Sequence, residues 1–293
     1  MPRMRSTLFT IFLGGALASS VSAAAAELVA DRISVTVMGK GPDVVLIPGA
    51  ACSSAVWDGT AKHLEGSYRL HIIQVAGFAG SPPGANAQGP ITQPTVNAIH
   101  AYIKANKLKA PGVIGHSLGG LMGLMLAVQH PHDVGRLMIV DELPFFAVLT
   151  GVTNMAEAKS RAVAWRDNIL AETQDTYARN ETNVIRTLSK SPEGCQEATA
   201  WTVATDKSIL ARITYEVMTT DMRPELHKIK APVTILYPWD ASKHISQAAC
   251  DKLYGDNYAA LPNKKLVRID GSYHFIMLDQ PDAFAAQVDA FLK

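Results

Sequence analysis

The chain has 293 residues, a formal net charge of +1 and a hydrophobic fraction of 48%. This length fits one large domain, or one domain with an inserted subdomain, and the hydrophobic fraction suffices for a sizeable core. The balanced charge and the lack of long basic or acidic runs argue against nucleic acid or another polyanion as the main partner.

The first two dozen residues have the pattern of a secretory signal peptide. Arg3 and Arg5 form a basic start, residues 8–17 are apolar, and residues 21–23 offer a small-residue cleavage site. A membrane anchor is the alternative, but the apolar stretch is short for a bilayer span. We therefore predict that residues 1–23 are removed and that the mature protein is secreted or periplasmic, with no stable membrane anchor.

Export would permit disulfides, and three cysteines follow the predicted cleavage site: Cys52, Cys195 and Cys250. An odd number allows at most one internal bridge, and the sequence does not choose the pair.

Strand and helix patterns alternate along the chain, which predicts the α/β class with a mostly parallel sheet covered on both faces. The first strand pattern alternates apolar and polar residues, as in an antiparallel edge strand. Strands are predicted at 28–37, 44–47, 70–75, 110–114, 137–140, 233–237 and 265–269. Helices are predicted at 57–64, 95–104 with Thr95 as N-cap, 121–128, 246–253 and 281–292.

Between the fifth and sixth strand patterns the alternation stops. Residues 142–221 carry helical patterns and no convincing strand, with aromatic residues and methionines at loosely helical spacing. We interpret this segment as a helical cap inserted into a core made of residues 24–141 and 222–293. A few cap residues should line a substrate pocket.

The most informative motif is Gly115-His116-Ser117-Leu118-Gly119, which fits G-x-S-x-G. A strand pattern precedes it and a helix pattern follows, as a nucleophile elbow requires. The glycines would allow the strand and helix to cross closely, while the turn would expose the Ser117 hydroxyl. Ser117 is the predicted nucleophile.

A serine hydroxyl needs a base, and that base needs a partner that orients it. His274 is the predicted base because it is the only one of the nine histidines that follows the last strand pattern. The carboxylate should end a strand between Ser117 and His274. Asp240 is the first choice and Asp141 the second, giving the chain order Ser, Asp, His.

Two backbone amides should form the oxyanion hole. One is predicted at Leu118, directly after the nucleophile. The other is predicted at Ala50, with Ala51 next, because Gly49 would let the backbone approach the substrate closely.

Three further residues are predicted to contact substrate: His116, Phe145 and Trp165. No metal site is predicted, since His130 and His132 lack an accompanying acidic or sulfur ligand pattern.

The segments around Pro48-Gly49-Ala50, Ser117, Asp240 and His274 together resemble the α/β-hydrolase superfamily over nearly all of the mature chain. The resemblance implies an eight-stranded, mostly parallel sheet with an inserted cap and a serine mechanism without a cofactor. In one departure, Pro48-Gly49 stands where many relatives carry His-Gly. The substrate does not follow from the fold.

We therefore predict an exported serine hydrolase that cleaves a small-molecule carboxylic ester through an acyl-enzyme. The same triad could instead cleave an amide, a lactone or a carbon–carbon bond. An aminopeptidase would need cap carboxylates for a free amine, for which Glu142 and Glu157 are candidates. A third possibility is a ligand-binding protein that keeps the fold without turnover. The sequence does not indicate an oligomeric state.

Overall fold

The computed structural model describes residues 31–293, so the predicted signal peptide lies outside the described residues. Seven strands form one sheet in the order β1-β3-β2-β4-β5-β6-β7. They are β1 Ile33–Gly39, β2 Asp43–Ile47, β3 Arg69–Val75, β4 Gly112–His116, β5 Arg136–Val140, β6 Val233–Trp239 and β7 Lys264–Asp270.

The sheet has the predicted parallel character. β1 pairs antiparallel with β3 at one edge, and every other neighbouring pair is parallel. The described part of the chain contains seven strands rather than the eight that the resemblance implied. All seven correspond to strand patterns in the sequence. The parallel strands β2, β4, β5, β6 and β7 therefore have their carboxyl ends side by side, at the same end of the sheet.

Helices cover both faces. They are α1 Asp58–Leu64, α2 Thr92–Ala105, α3 Leu118–Gln129, α4 Met155–Ala171, α5 Gln174–Ile185, α6 Pro192–Ala204, α7 Lys207–Thr219, α8 Gln247–Asn257, α9 Ile276–Asp279 and α10 Pro281–Leu292. Successive strand residues face opposite sides, as a pleated strand requires. Val45 and Ile47 thus pack into the apolar cluster under α2, α3 and α8, whereas Val44 and Leu46 pack into the cluster under α1 and α10.

The segment between β5 and β6 consists of the helices α4 to α7 and contains no strand, as predicted. These helices have a small apolar cluster of their own, which includes Phe145, Ala158 and Met218. The loop between α5 and α6 contacts the core, because the amide of Phe275 donates to the carbonyl of Leu188 at 3.0 Å. The division into core and cap domains stays a prediction.

Helix α2 begins earlier than predicted. Thr95 is buried inside the helix and is not its N-cap, and its hydroxyl has no hydrogen-bond partner among the described residues. The Glu216 carboxylate on α7 accepts from the amides of Ile91 and Thr92, at 2.9 and 2.7 Å. A carboxylate at a helix N-terminus satisfies amides that lack partners within the helix. The helix start is therefore set by a residue more than a hundred positions away.

Within residues 31–293, no helix is long and apolar enough to cross a membrane. The three cysteines are unpaired thiols, with Cys52 and Cys250 buried.

Candidate active site

Ser117 occupies a strained turn between β4 and α3. Its backbone has φ 52° and ψ −124°, a combination that residues with a Cβ rarely adopt. The amide of Ser117 donates to the carbonyl of Val140 at 2.9 Å, which fixes the turn against the end of β5. The predicted nucleophile elbow is thus present in its geometry.

Two glycines make this turn possible. A Cβ on Gly115 would lie 2.2 Å from the carbonyl oxygen of Gly119, and a Cβ on Gly119 would lie 2.2 Å from that of Ile47. Any side chain at either position would force the strand and the helix apart. Both glycines thus allow the close crossing of strand and helix that the motif predicts.

The predicted oxyanion loop lies against the nucleophile. A Cβ on Gly49 would stand 3.2 Å from the Cβ of Ser117, so the loop reaches Ser117 without intervening atoms. The neighbouring Ala51 has a left-handed φ of 56°, and the amide of Cys52 closes the turn on the carbonyl of Gly49 at 3.3 Å.

Neither of the two amides predicted for the oxyanion hole donates a hydrogen bond within the described chain. The amide of Ala50 makes no hydrogen bond to the rest of the described chain. Leu118 is the first residue of α3, so its amide has no partner within the helix. This amide lies at the N-terminus of the helix, which is the positive end of the helix dipole. Their use as an oxyanion hole stays a prediction.

His274 pairs with Asp141. Its Nδ1 lies 2.6 Å from Oδ2 of Asp141, and the two side chains are only 20% and 13% exposed. Asp141 follows β5 directly and has a left-handed φ of 49°, which turns its side chain back over the sheet edge. The carboxylate thereby fixes which ring nitrogen of His274 carries the proton.

The choice of Asp240 as the partner of His274 was wrong. Asp240 forms an ion pair with Lys190 at 2.5 Å and accepts from the amide and hydroxyl of Ser242. The Lys190 ammonium and the hydrogen bonds from Ser242 hold the pKa of this carboxyl well below its usual range. Asp240 therefore joins the α5–α6 loop to the core instead of orienting the imidazole.

The strand register explains this difference. Val140, the last residue of β5, pairs with Leu236, so Asp141 comes level with Tyr237. β6 continues to Trp239, which places Asp240 three residues further along, or about 10 Å at the usual rise per residue. Because β5 also neighbours β4, Asp141 lies beside the strand that carries Ser117.

His116 holds the backbone of His274 next to the nucleophile. Its Nε2 donates to the carbonyl of His274 at 3.1 Å, and the two ring centroids are 4.5 Å apart. Burial, together with the charge of His274, lowers the pKa of His116 far below its usual value, so this ring is neutral. His116 was predicted to contact substrate, but it is fully buried and instead supports His274 from below.

Among residues 31–293, no hydrogen bond joins the hydroxyl of Ser117 to the ring of His274. Hydrogen bonds between catalytic groups are often long in unliganded enzymes and shorten when substrate binds. The partnership of these two residues therefore remains a proposal, which the contacts of His116 and Asp141 support.

The two other residues predicted to contact substrate occupy different environments. Phe145 is fully buried in the apolar cluster of the inserted helices, where the guanidinium of Arg223 lies 4.5 Å from its ring centroid. A substrate cannot reach it without displacing that packing, so this prediction was wrong. Trp165 lies on α4 with 38% of its surface exposed, and no hydrogen bond or aromatic contact of the described chain joins it to the catalytic candidates.

Glu142 is a buried carboxyl directly after Asp141. Its Oε1 accepts from the amide of Leu143 at 3.0 Å. Burial, and secondarily the neighbouring charge of Asp141, raises its pKa to about 8. A carboxyl in this state is protonated at neutral pH and adds no second negative charge beside Asp141.

Another titratable cluster lies where α2 meets the end of α3, and it is formed by His100, His130 and Asp133. The two imidazoles stack in nearly parallel planes, with centroids 3.6 Å apart and an interplanar angle of 9°. Ring nitrogen lone pairs lie in the ring plane, so those of a parallel stack do not converge on one ion. Asp133 instead accepts from His100 at 2.5 Å.

A cavity of about 490 Å³ opens between α1, α6 and α10. Its lining includes Asp58, Glu197 and Trp201 but none of the catalytic candidates, so it is separate from the site at Ser117.

Comparisons with known proteins agree with this architecture. The profile of the Alpha/beta hydrolase family matches residues 44–287. A pimeloyl-(acyl-carrier protein) methyl ester esterase from Vibrio atlanticus is 26% identical, with 88% of this chain and 96% of the relative covered. The enzyme of the same name from Nitrosomonas europaea is also 26% identical, with 88% and 98% covered.

Solved structures share the fold at lower identity. The enol-lactonase from Burkholderia xenovorans has a TM-score of 0.72 and 19% identity, with 89% of this chain and 96% of that chain covered. An esterase from Exiguobacterium antarcticum has a TM-score of 0.72 and 18% identity, with 89% and 95% covered. Since the family profile spans most of the chain from β2 to α10, this protein belongs to the alpha/beta hydrolase family.

Proposed function

We propose that this protein is an exported serine hydrolase that cleaves a carboxylic ester through Ser117, His274 and Asp141. The observation that carries the proposal is the 2.6 Å contact between Nδ1 of His274 and Asp141, made beside a serine held at φ 52°. A largely buried carboxylate, an imidazole and a strained serine, each following the carboxyl end of a strand, form the constellation that nucleophilic acyl transfer requires.

The reaction begins when the oxygen of Ser117 attacks the ester carbonyl and Nε2 of His274 takes the hydroxyl proton. Asp141 stabilises the resulting imidazolium through Nδ1. His274 then gives this proton to the leaving alkoxide as the ester C–O bond breaks, which leaves an acyl group on Ser117. Water attacks the acyl carbonyl, His274 accepts its proton, and the serine departs with that proton as the acid is released.

The negative charge on the carbonyl oxygen would be held by the amides of Ala50 and Leu118. Both belong to backbone that is fixed before substrate arrives, because the Gly49 turn is closed and α3 is packed in the core. Preorganised donors of this kind are typically worth about 10²–10³ in turnover each.

Ester cleavage is favoured over related reactions by the names of the relatives. The two curated relatives reported above are named methyl ester esterases, and one structural neighbour is an esterase. A lactone is a cyclic ester, so the enol-lactonase neighbour is compatible with the same chemistry. We therefore place small carboxylic esters first and lactones second.

An aminopeptidase is less favoured. Glu142, one of two carboxylates considered for holding a free amine, is buried and has a pKa of about 8, so it is uncharged at neutral pH. The other, Glu157, lies in the exposed first turn of α4.

The test is the rate of hydrolysis of p-nitrophenyl acetate and butyrate by the wild type and by Ser117→Ala. We expect Ser117→Ala to lose at least about 10³-fold in kcat and to keep its melting temperature within a few degrees. Equal rates would refute the mechanism. A panel of aryl esters, lactones and aminoacyl amides, read as kcat/KM, would then rank the substrate classes.

A ligand-binding protein without turnover is the alternative from another class. A fluorophosphonate probe distinguishes the two, since it labels only an activated serine. Labelling of the wild type and not of Ser117→Ala supports an enzyme, and no labelling of either supports a binding protein.

Export is part of the proposal and depends on the sequence pattern of residues 1–23. Expression of the full chain in a bacterial host, followed by fractionation and mass measurement of the N-terminus, tests it. We expect a product that begins shortly after residue 23 outside the cytoplasm, whereas an uncleaved product retained in the cytoplasm would contradict export.

A further inference from the structure

Asp141 has a second partner that the mechanism above does not use. One carboxylate oxygen, Oδ2, contacts His274, and the other, Oδ1, accepts a hydrogen bond from the phenol of Tyr254 on α8. Tyr254 is buried, with 5% of its surface exposed. Both oxygens of the carboxylate are therefore held, one by the base and one by a tyrosine.

We propose that Tyr254 is a positioning residue for catalysis, which orients the Asp141 carboxylate towards His274 by donating a hydrogen bond to its other oxygen. This inference rests on the proposed function. A hydrogen bond from a neutral donor to a carboxylate favours the ionised form and is stronger than one between neutral groups. Tyr254 would thus set both the direction and the basicity of Asp141.

Tyr254 is itself fixed by a chain of contacts. Its ring stacks on Tyr237 of β6, with centroids 4.3 Å apart and planes at 19°. The hydroxyl of Tyr237 donates to Asp251 at 2.9 Å, and Asp251 forms an ion pair with Arg268 of β7 at 2.7 Å. The ring of Tyr254 is therefore held against β6, and Asp251 ties the same helix to β6 and β7, which gives the fixed placement that a positioning group requires.

Removal of the phenol hydroxyl has a predictable electrostatic consequence. Without the donor, the Asp141 carboxylate is more basic and stabilises the His274 imidazolium more strongly. The pH at which the base of the free enzyme loses its proton should then rise. The carboxylate would also be free to rotate, which lowers the rate of the chemical step.

The chain offers a matched control one helical turn away. Tyr258 is fully buried, and its hydroxyl donates to the carbonyl of Glu142 at 2.8 Å. Tyr258→Phe loses a buried tyrosine hydrogen bond, as Tyr254→Phe does, but leaves the Asp141 carboxylate untouched. Effects of general destabilisation should appear in both variants, whereas effects on catalysis should appear only in Tyr254→Phe.

The experiment measures kcat, KM and the pH profile of kcat/KM for p-nitrophenyl butyrate with the full mature chain and both variants. We expect Tyr254→Phe to lower kcat by roughly tenfold or more, with KM within about twofold. The acid limb of its profile should move to higher pH. Tyr258→Phe should keep the acid limb of the wild type.

A second measurement covers the case in which Tyr254→Phe does not fold. Incorporation of 3-fluorotyrosine at position 254 leaves the shape nearly unchanged and makes the phenol a stronger donor. The acid limb should then move to lower pH, opposite to the shift in Tyr254→Phe. Both Tyr254 variants keep the other titratable groups around Asp141 and His274, which are His116, Glu142, Cys250 and Tyr258.

Opposite shifts in the two Tyr254 variants support the proposal. Identical profiles for Tyr254→Phe, Tyr258→Phe and the wild type would overturn it, as would an unmoved acid limb in the fluorotyrosine protein. If these results came with an inactive Ser117→Ala variant, the proposed serine mechanism would stand and only the role of Tyr254 would fail. An active Ser117→Ala variant would overturn both.

Discussion

Replacement of each candidate carboxylate in turn by asparagine tests which of the two orients the imidazole of His274. Asp141→Asn keeps the size of the side chain and removes the charge 2.6 Å from Nδ1 of His274. For a pair with charge centres about 4 Å apart near a protein surface, the lost attraction is about 4 kcal/mol. At 1.36 kcal/mol per factor of ten, we expect kcat to fall roughly a thousandfold. The asparagine amide would also favour the wrong tautomer of the ring.

Asp240→Asn is the matched comparison, because it makes the same chemical change at the carboxylate chosen from sequence. It loses the ion pair with Lys190, whose side chain is 40% exposed. Pairs of this kind contribute about 0–1 kcal/mol to stability. We expect its kcat to stay within about threefold of the wild type.

The assay is hydrolysis of p-nitrophenyl acetate under saturating substrate at pH 8, with melting temperatures measured on the same samples. A near-inactive Asp141→Asn beside an active Asp240→Asn is the expected result. The opposite pattern would refute the assignment from strand register, and two active variants would show that neither carboxylate assists the base.

Two further predictions concern stability. The pKa of buried Glu142 is raised from its ordinary value of 4.5 to about 8, so the folded state keeps its proton where the unfolded state loses it. Stability should therefore fall as pH rises through this window, by at most about 5 kcal/mol. Glu142→Gln should remove this slope in urea unfolding between pH 5 and pH 8, and parallel pH curves for the two proteins would contradict the assignment. Gly119→Ala would place a Cβ 2.2 Å from the carbonyl oxygen of Ile47, so we expect a loss of at least about 2 kcal/mol in unfolding free energy together with lost esterase activity. A wild-type melting temperature for Gly119→Ala would show that the elbow can relax.

The sequence predicted the elements of this site that depend on local sterics. A serine between Gly115 and Gly119, after a strand pattern and before a helix pattern, identifies an elbow because only glycine fits the crossing of that strand and helix. His274 was found from its place after the last strand. All seven strand patterns appear in the sheet, since each is a short apolar or alternating run bounded by turn residues.

Contacts between distant segments could not be read in this way. Two aspartates each follow a parallel strand. The pattern around them does not reveal that β6 extends two residues beyond the level of Asp141, which places Asp240 three residues further along. Tyr254 carries no local signal, since a buried tyrosine on a helix is an ordinary core residue. Phe145 was expected in a pocket, but the inserted helices pack around it.

What the sequence by itself determined is therefore the strained serine, the late histidine and the alternation of strands and helices, all of which follow from short-range sterics and hydrophobic periodicity. Only the tertiary structure decided that Asp141 holds the imidazole, that Tyr254 holds Asp141 and that Glu216 starts α2. The reason is physical: each of these contacts joins residues more than a hundred positions apart, and strand order, register and helix docking determine which distant groups meet.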